Sequence, residues 1–252
     1  MKAETGSPPA DATVRPSPSS PEFAAQVRTM FDRIAGVYDL MNTAMTAGMH
    51  HRWRQRAADR AELRPGEAAL DLCCGTGDLA FELAGRVGAD GAVVGCDFSE
   101  PMLELARRKA AERGASQVRF EWADAMELPY EDGSFDAVTV GFGMRNLVDL
   151  DRGIAEVVRV LKPGGRAVIL EITQPRRAPL SSFYSLWFDR IVPLLGAVAR
   201  NRAAYSYLPE SVKRFPAPEG LAATMAEAGL QQVRYLIVAG GIIAIHSGAK
   251  SD

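Results

Sequence analysis

The sequence predicts an α/β protein built on a doubly wound, mostly parallel sheet, and three observations carry that expectation. Short apolar runs recur at 68–72, 92–96, 137–140 and 167–172, most of them separated by stretches of helical spacing. These runs are continuously apolar instead of alternating, as strands covered on both faces by helices are. The first run leads into a glycine-bearing loop, Asp71-Leu72-Cys73-Cys74-Gly75-Thr76-Gly77-Asp78, and a new helical pattern with Leu79, Phe81 and Leu83 begins at its end.

Taken in order, residues 1–22 are rich in Pro, Ser, Ala and Thr with few large apolar side chains, so ordering them would cost chain entropy without burial in return. They read as a disordered tail, and residues 23–252 as a single domain. Val27, Met30, Phe31, Ile34 and Tyr38 recur at three- and four-residue steps, as one face of an N-terminal helix would. Met102, Leu103 and Ala106, with Arg107, Arg108 and Lys109, give an amphipathic helix, and 118–122 a further buried strand. A helix over 154–161 ends before Pro163-Gly164-Gly165, because proline cannot extend it and glycine accepts unusual dihedrals. After the strand at 167–172 comes a helical insertion, 175–218, carrying Phe183, Tyr184, Trp187, Phe188, Tyr205 and Tyr207, which reads as a lid. A closing helix over 221–228 and two final strands complete the chain.

Bulk properties exclude several classes. A length of 252 residues suits one sizeable domain, and 29 Lys and Arg against 31 Asp and Glu, without a basic block, argue against nucleic acid as a partner. The three cysteines, Cys73, Cys74 and Cys96, form neither a disulfide framework nor a zinc-ligand spacing, which fits a reducing cytoplasm. His50, His51 and His246 add no ligand spacing, so no metal is expected. The polar, proline-rich start is unlike an export signal, and the apolar stretch 191–199, bounded by Arg190 and Arg200, falls well short of the roughly 20 residues of a membrane span.

The loop and two later strand ends point to one ligand. Gly75 and Gly77 let backbone approach a ligand closely. Asp97 ends the second strand, where a carboxylate accepts both ribose hydroxyls without needing a pKa shift, and Asp124-Ala125 ends the third, where an acid can take the exocyclic amine of adenine. A dinucleotide is disfavoured on two counts: Gly77 is followed by Asp78-Leu79-Ala80 with no third glycine, and Asp71 would repel a diphosphate while suiting an amino-acid ammonium.

The set from Asp71 to Asp78, Asp97, Asp124-Ala125 and Leu161-Lys162-Pro163-Gly164-Gly165 resembles the class I S-adenosylmethionine methyltransferases, over about residue 63 to the end. The resemblance implies a Rossmann-like seven-stranded sheet with a reversed last strand, and S-adenosyl-L-methionine as cofactor. Narrower motifs lie outside the loop: Phe31-Asp32-Arg33-Ile34-Ala35, Tyr38-Asp39, Met41-Asn42, Gly48, His50, Trp53-Arg54, then Gly141-Phe142-Gly143-Met144-Arg145-Asn146, and Tyr205, Tyr207-Leu208-Pro209-Glu210-Ser211. These resemble the ubiquinone/menaquinone biosynthesis C-methyltransferase family, which implies methylation of a ring carbon of a prenylated quinol, foremost demethylmenaquinol. By position, Thr76, Asp97, Asp124, Ala125 and Gly141 match the family's cofactor contacts, Gly141 standing where some members have Ser. His51 and Met144 stand where members often show Arg and Leu. The alternative is an enzyme of the same fold acting on another lipid or secondary-metabolite ring.

Ring methylation needs a phenolic proton to leave as the methyl is attacked. Arg145 and Asn146 follow the strand at 137–140, at the edge where such sheets bind ligands, so they are the expected catalytic pair. A guanidinium there stabilises a phenolate or orients a water; the competing reading is a surface pair between Arg145 and Asp149. His50 and His51, with Tyr38 and Asp39, either accept the proton or only close the N-terminal helix over the cofactor. The insertion's aromatic residues either fill core or line a channel for an isoprenoid tail, and its apolar 180–198 with flanking arginines suggests peripheral contact with the inner face of the membrane. The oligomeric state stays open.

Overall fold

The structure, a computed structural model, describes residues 20–175 and 202–252. Its centre is a seven-stranded sheet in the order β3-β2-β1-β4-β5-β7-β6. The strands are β1 (Ala68–Leu72), β2 (Ala92–Asp97), β3 (Val118–Trp122), β4 (Phe135–Gly141), β5 (Leu161–Ile172), β6 (Leu230–Val238) and β7 (Ile243–Lys250). The first five pair in parallel, and β7 runs antiparallel between β5 and β6, so the sheet carries the reversed last strand. Strand order turns back between β1 and β4, and the crevice at their carboxyl ends is where sheets of this kind bind ligands.

The continuous apolar runs are explained by two cores. On one face, Ala69, Val93, Ala137, Val168 and Leu170 pack beneath α3 (Met49–Arg60), α4 (Asp78–Val87) and α5 (Glu100–Arg113). On the other, Leu70, Leu72, Val94, Val138, Val140 and Ile169 meet α6 (Leu150–Val160) and a later helix, Pro218–Glu227. Successive residues of one strand thus serve opposite cores.

A smaller cluster joins the N-terminal helices to α5, with Ile34, Ala35 and Met102 buried against Met30, Phe31, Tyr38, Met41 and Met45. Helix α1 (Pro21–Ile34) starts inside the segment read as tail, because Pro21 is preset for a first helical turn and Ser20 Oγ accepts the Phe23 N–H at 3.2 Å. Residues 1–19 lie outside the described residues. The periodic face from Val27 to Tyr38 is not one helix: a 3₁₀ turn, Ala35–Val37, breaks it, and Tyr38 opens α2 (Tyr38–Thr46). That break tips Tyr38 toward the glycine loop, whose Gly75 would bring a Cβ to 3.8 Å from the tyrosine ring.

Pro163-Gly164-Gly165 does not precede β5 but bulges from it. Phe135 pairs with Leu161 and Ala137 with Arg166, so the residues between Leu161 and Arg166 loop out while pairing resumes on both sides. Helix α6 accordingly begins at Leu150, four residues before its expected start. Of the insertion, 176–201, with Phe183, Tyr184, Trp187 and Phe188, lies outside the described residues. Its end forms α7 (Arg202–Arg214), and α8 (Pro218–Glu227) packs against β6.

Gly77 is the tightest point of the glycine loop. It holds φ at +85° immediately before α4, and a Cβ there would fall 2.6 Å from Phe120 of β3. Gly77→Ala should therefore lower stability by about 2–4 kcal/mol in chemical denaturation, through backbone conformation and overpacking together. An unchanged midpoint would mean that Phe120 yields freely.

Candidate active site

Two cavities meet at the carboxyl ends of β1 and β4. The first, of about 250 Å³, is lined by Cys73, Gly75, Asp97, Phe98, Met102, Trp122, Asp124, Ala125 and Gly141, with Phe31 and Tyr38 from the N-terminal helices. The second, of about 490 Å³, is largely apolar: Met30, Ile34, Met41, Met45, Met49, Trp53, Ile172 and Ile243 surround it, with Arg145 and Tyr207 on its wall. Phe31, Tyr38 and Phe142 line both. Two of the residues turning the chain here are non-glycines at positive φ, Cys73 at 55° and Phe142 at 64°, a conformation kept where the surroundings over-determine it and often at binding sites. Gly143 permits their approach, since a Cβ there would meet Cys73 Cβ at 2.4 Å.

Asp71, at the fourth position of β1, is 1 % exposed. Its Oδ1 accepts the Thr139 hydroxyl at 2.8 Å, while Oδ2 has no hydrogen-bond partner of good geometry. Burial pushes its carboxyl up to about 7, against the Thr139 hydroxyl, the Arg54 charge and the Ala80 amide. A small recess beside it is lined by Tyr38, Gly75, Thr76 and Gly141 and adjoins the first cavity through Tyr38, Cys73, Gly75 and Gly141. An orphaned buried carboxylate oxygen here suits an ammonium group, so the residues present fit the amino-acid arm of S-adenosylmethionine.

Asp97 departs from expectation. Its Oδ2 accepts Gly75 N–H at 2.8 Å and Oδ1 accepts Ser99 N–H at 2.9 Å, and burial raises its carboxyl to about 6 despite those bonds. The acid therefore braces the glycine loop and still has lone pairs left on the wall of the first cavity. Asp124 uses Oδ1 to turn the chain by accepting Met126 N–H at 2.9 Å, which places it and Ala125 along the wall with Trp122 and Met102.

Thr76 and Gly77 stand apart from the main cavity. Gly77 lines none of the cavities and is needed for packing. The Thr76 hydroxyl donates to Asp39 Oδ1 at 2.6 Å and accepts from Lys109 Nζ at 3.0 Å. Lys109 also reaches Asp39 Oδ2 at 2.6 Å and Asp78 Oδ1 at 2.9 Å, so one ammonium ties α2, the loop and α5 together. In the sequence it reads only as part of a solvated basic face, Arg107-Arg108-Lys109, and nothing local marks it.

Arg145 is buried and pairs not with Asp149, which caps α6 by accepting Arg152 N–H, but with Glu171 at the end of β5. Its Nη1 donates to Glu171 Oε1 at 2.8 Å and to the Phe142 carbonyl, and its Nε has no partner. Burial works against its charge, but Glu171, Tyr38 and Tyr207 together outweigh it and raise the guanidinium above its ordinary value. Glu171 was missed; an acid closing an apolar strand is its only sequence signal. Asn146 lines the first cavity and accepts the Tyr207 hydroxyl at 2.9 Å, so Arg145 and Asn146 face opposite sides of the junction.

His50 is unsuited to accept a proton. Burial, then Arg54, pull its pKa down to about 4. Because Arg54 can only donate, His50 Nδ1 must be the acceptor, which leaves Nε2–H to donate to Thr43 Oγ1 at 3.2 Å. His50, His51 and Asp78 bring ligand atoms within 4.8 Å of one another, but Asp78 already has Lys109 at 2.9 Å and Arg54 at 3.7 Å, so two fixed cations hold the place.

Two outcomes follow. Cofactor binding that needs ionised Asp71 should weaken about tenfold between pH 8 and pH 6, while the apo protein gains stability as pH falls through 7, because the folded state binds a proton the unfolded one does not. Calorimetric titration and thermal melts check both, and Asp71→Asn should shrink both dependences to the part that Asp97, raised to about 6, contributes, while losing most affinity; an undiminished pH dependence in that variant would contradict the assignment. Lys109→Met should raise the cofactor KM about tenfold, as loss of one partner of a half-buried pair does, and Lys109→Arg should restore part of it.

Residues 21–250 match the model of the ubiE/COQ5 methyltransferase family. A demethylmenaquinone methyltransferase of Thermus thermophilus is 50% identical over 223 residues, covering 88% of this chain and 100% of that relative. The ubiquinone/menaquinone biosynthesis C-methyltransferase UbiE of Idiomarina loihiensis is 41% identical, covering 89% and 90%. Among solved structures, the [4+2]-cyclase SpnF aligns with a TM-score of 0.68 at 22% identity, covering 90% and 96%, and a SAM-dependent methyltransferase from Aquifex aeolicus with 0.58 at 18%, covering 78% and 88%. The structural likeness is one of fold, whereas the match along nearly the whole sequence is one of lineage: the chain belongs to the ubiE/COQ5 methyltransferase family.

Proposed function

We propose that the protein transfers a methyl group from S-adenosylmethionine to a ring carbon of a prenylated quinol, converting demethylmenaquinol to menaquinol. The observation that carries this reading is the large apolar cavity joined to the donor cavity at Phe31, Tyr38 and Phe142. A methionine-rich lining is adaptable and suits a flat ring with a flexible tail. The cofactor supplies an electrophilic methyl, so the chain's task is alignment and charge.

In this reading Asp71 and Gly75 hold the amino-acid arm, Asp97 the ribose, and Asp124, Ala125, Met102 and Trp122 the adenine. Gly141, flanked by Leu79 at 3.2 Å from where a Cβ would stand, keeps the passage beside Asp71 open. Arg145 stays charged and stabilises the phenolate that makes the ring carbon nucleophilic. Glu171 positions it, and Asn146 with Tyr207 fixes the junction between the cavities. With His50 neutral and committed to Arg54 and Thr43, the phenolic proton leaves through water at the cavity. Because the tail dwells in a bilayer, the protein works as a peripheral partner of the membrane; among the described residues no helix is long and apolar enough to cross one.

A benzoquinol is the second reading, favoured by the Idiomarina relative, whose name covers ubiquinone as well. Labelled cofactor incubated with reduced prenylated naphthoquinols and benzoquinols decides between them: methylation chiefly of the naphthoquinol is expected, and methylation of neither ring would overturn the proposal. Arg145→Ala should lower kcat by at least about a hundredfold with cofactor affinity nearly intact. Loss of cofactor binding instead would reject its role.

A further inference from the structure

The second cavity has an unusual rim. Val37, Leu40 and Met49 are 47%, 72% and 47% exposed, although large apolar side chains of this kind are ordinarily buried. They lie together on the N-terminal helices, from the 3₁₀ turn through α2 to the first turn of α3. Leu40 and Ala44 lie one turn apart on one face of α2, with Val37 just before that helix and Ala47 just after it, so the stripe proper is Leu40 and Ala44. Ala44, Ala47 and Met49 also line the cavity, so the stripe runs into its mouth.

The charges left unpaired beside this stripe are arginines. Arg28, Arg33, Arg52 and Arg56 are exposed. The acids of the same segment are engaged by other groups: Asp32 accepts the Ser99 hydroxyl at 2.6 Å, Asp39 binds Lys109 at 2.6 Å, and Asp59, though exposed, binds Arg86 at 2.6 Å. Among the described residues, Arg28, Arg33, Arg52 and Arg56 have no carboxylate partner. An apolar strip flanked by outward arginines complements an anionic lipid surface, into which apolar side chains sink while guanidinium groups stay at the phosphate level. A second copy of the same face would oppose arginine to arginine.

We infer that the helical cap over 37–56 is the membrane-docking face, seating Val37 and Leu40 in an anionic bilayer, with Arg52 and Arg56 at the headgroups, so that the acceptor cavity opens into the lipid. This rests on the proposed quinol substrate for its purpose, but not for its test. Neither Val37, Leu40, Arg52 nor Arg56 lines either cavity, so docking is separable from chemistry.

The test is flotation of the full chain with vesicles of phosphatidylglycerol and phosphatidylcholine, compared with pure phosphatidylcholine vesicles. The wild type should float with the anionic vesicles and dissociate as salt is raised. Leu40→Ser should lower partitioning about tenfold, and Arg52→Gln and Arg56→Gln about fivefold each. All three variants should methylate a short-tailed soluble quinol like wild type while losing turnover of a long-tailed quinol in vesicles. Undiminished flotation of the three variants would place docking elsewhere and overturn the inference, as would equal binding to both vesicle types at every salt. A dimer in size-exclusion chromatography that Leu40→Ser abolishes would show that the face meets a second copy instead. If the wild type floats as expected but methylates no quinol in either format, the substrate reading fails and the docking face stands.

Discussion

A buried carboxylate with one oxygen unpartnered sets the terms for everything around it. Asp71 sits at the end of β1 beside the point where strand order reverses, and its burial is imposed by the same two-sided helix packing that makes the sheet stable. An unsatisfied buried anion costs free energy unless it neutralises or finds a close cation, and burial lifts Asp71 toward neutrality despite the Arg54 charge. The apo protein therefore holds a site that favours a ligand ammonium, and the neighbouring structure preserves it: Thr139 satisfies one oxygen only, and Asp97 spends its backbone contacts bracing Gly75.

The second constraint is closure. The N-terminal helices contribute Phe31 and Tyr38 to both cavities, yet they are not part of the sheet. They are held by a small packed cluster on α5 and by Lys109, whose ammonium meets Asp39, Thr76 and Asp78. A half-buried ion network of this kind fixes geometry more than it adds stability. Donor and acceptor spaces are joined only if this cap sits correctly, which ties a residue far from the reacting atoms to their alignment. The likeness to a cyclase at a TM-score of 0.68 is one of fold, and a fold does not by itself fix a reaction.

The sheet was legible in the sequence because continuous apolar runs and a glycine loop follow directly from two-sided burial, and β1 and β3 lie where their runs predict. The cap was less so. Its apolar spacing was visible, but the 3₁₀ turn that turns Tyr38 toward the loop depends on packing against α5, not on any local signal. Asp71, Asp97 and Asp124 could be placed because strand ends converge by topology. Glu171 and Lys109 could not, since their partners lie 26 and 70 residues away and are brought near only by the finished fold. At two further motif positions the fold adds contacts the sequence does not show: the Thr76 hydroxyl is tied to Asp39, and Gly77 leaves no room for a Cβ beside Phe120.

In the proposed reaction the two joined cavities align an activated methyl with a ring carbon whose phenolate Arg145 stabilises. Carbon-13 NMR of the product formed from methyl-labelled S-adenosylmethionine and a demethylated naphthoquinol tests it most directly. A single labelled methyl attached to the ring carbon is expected, whereas a labelled methoxy carbon would overturn ring methylation.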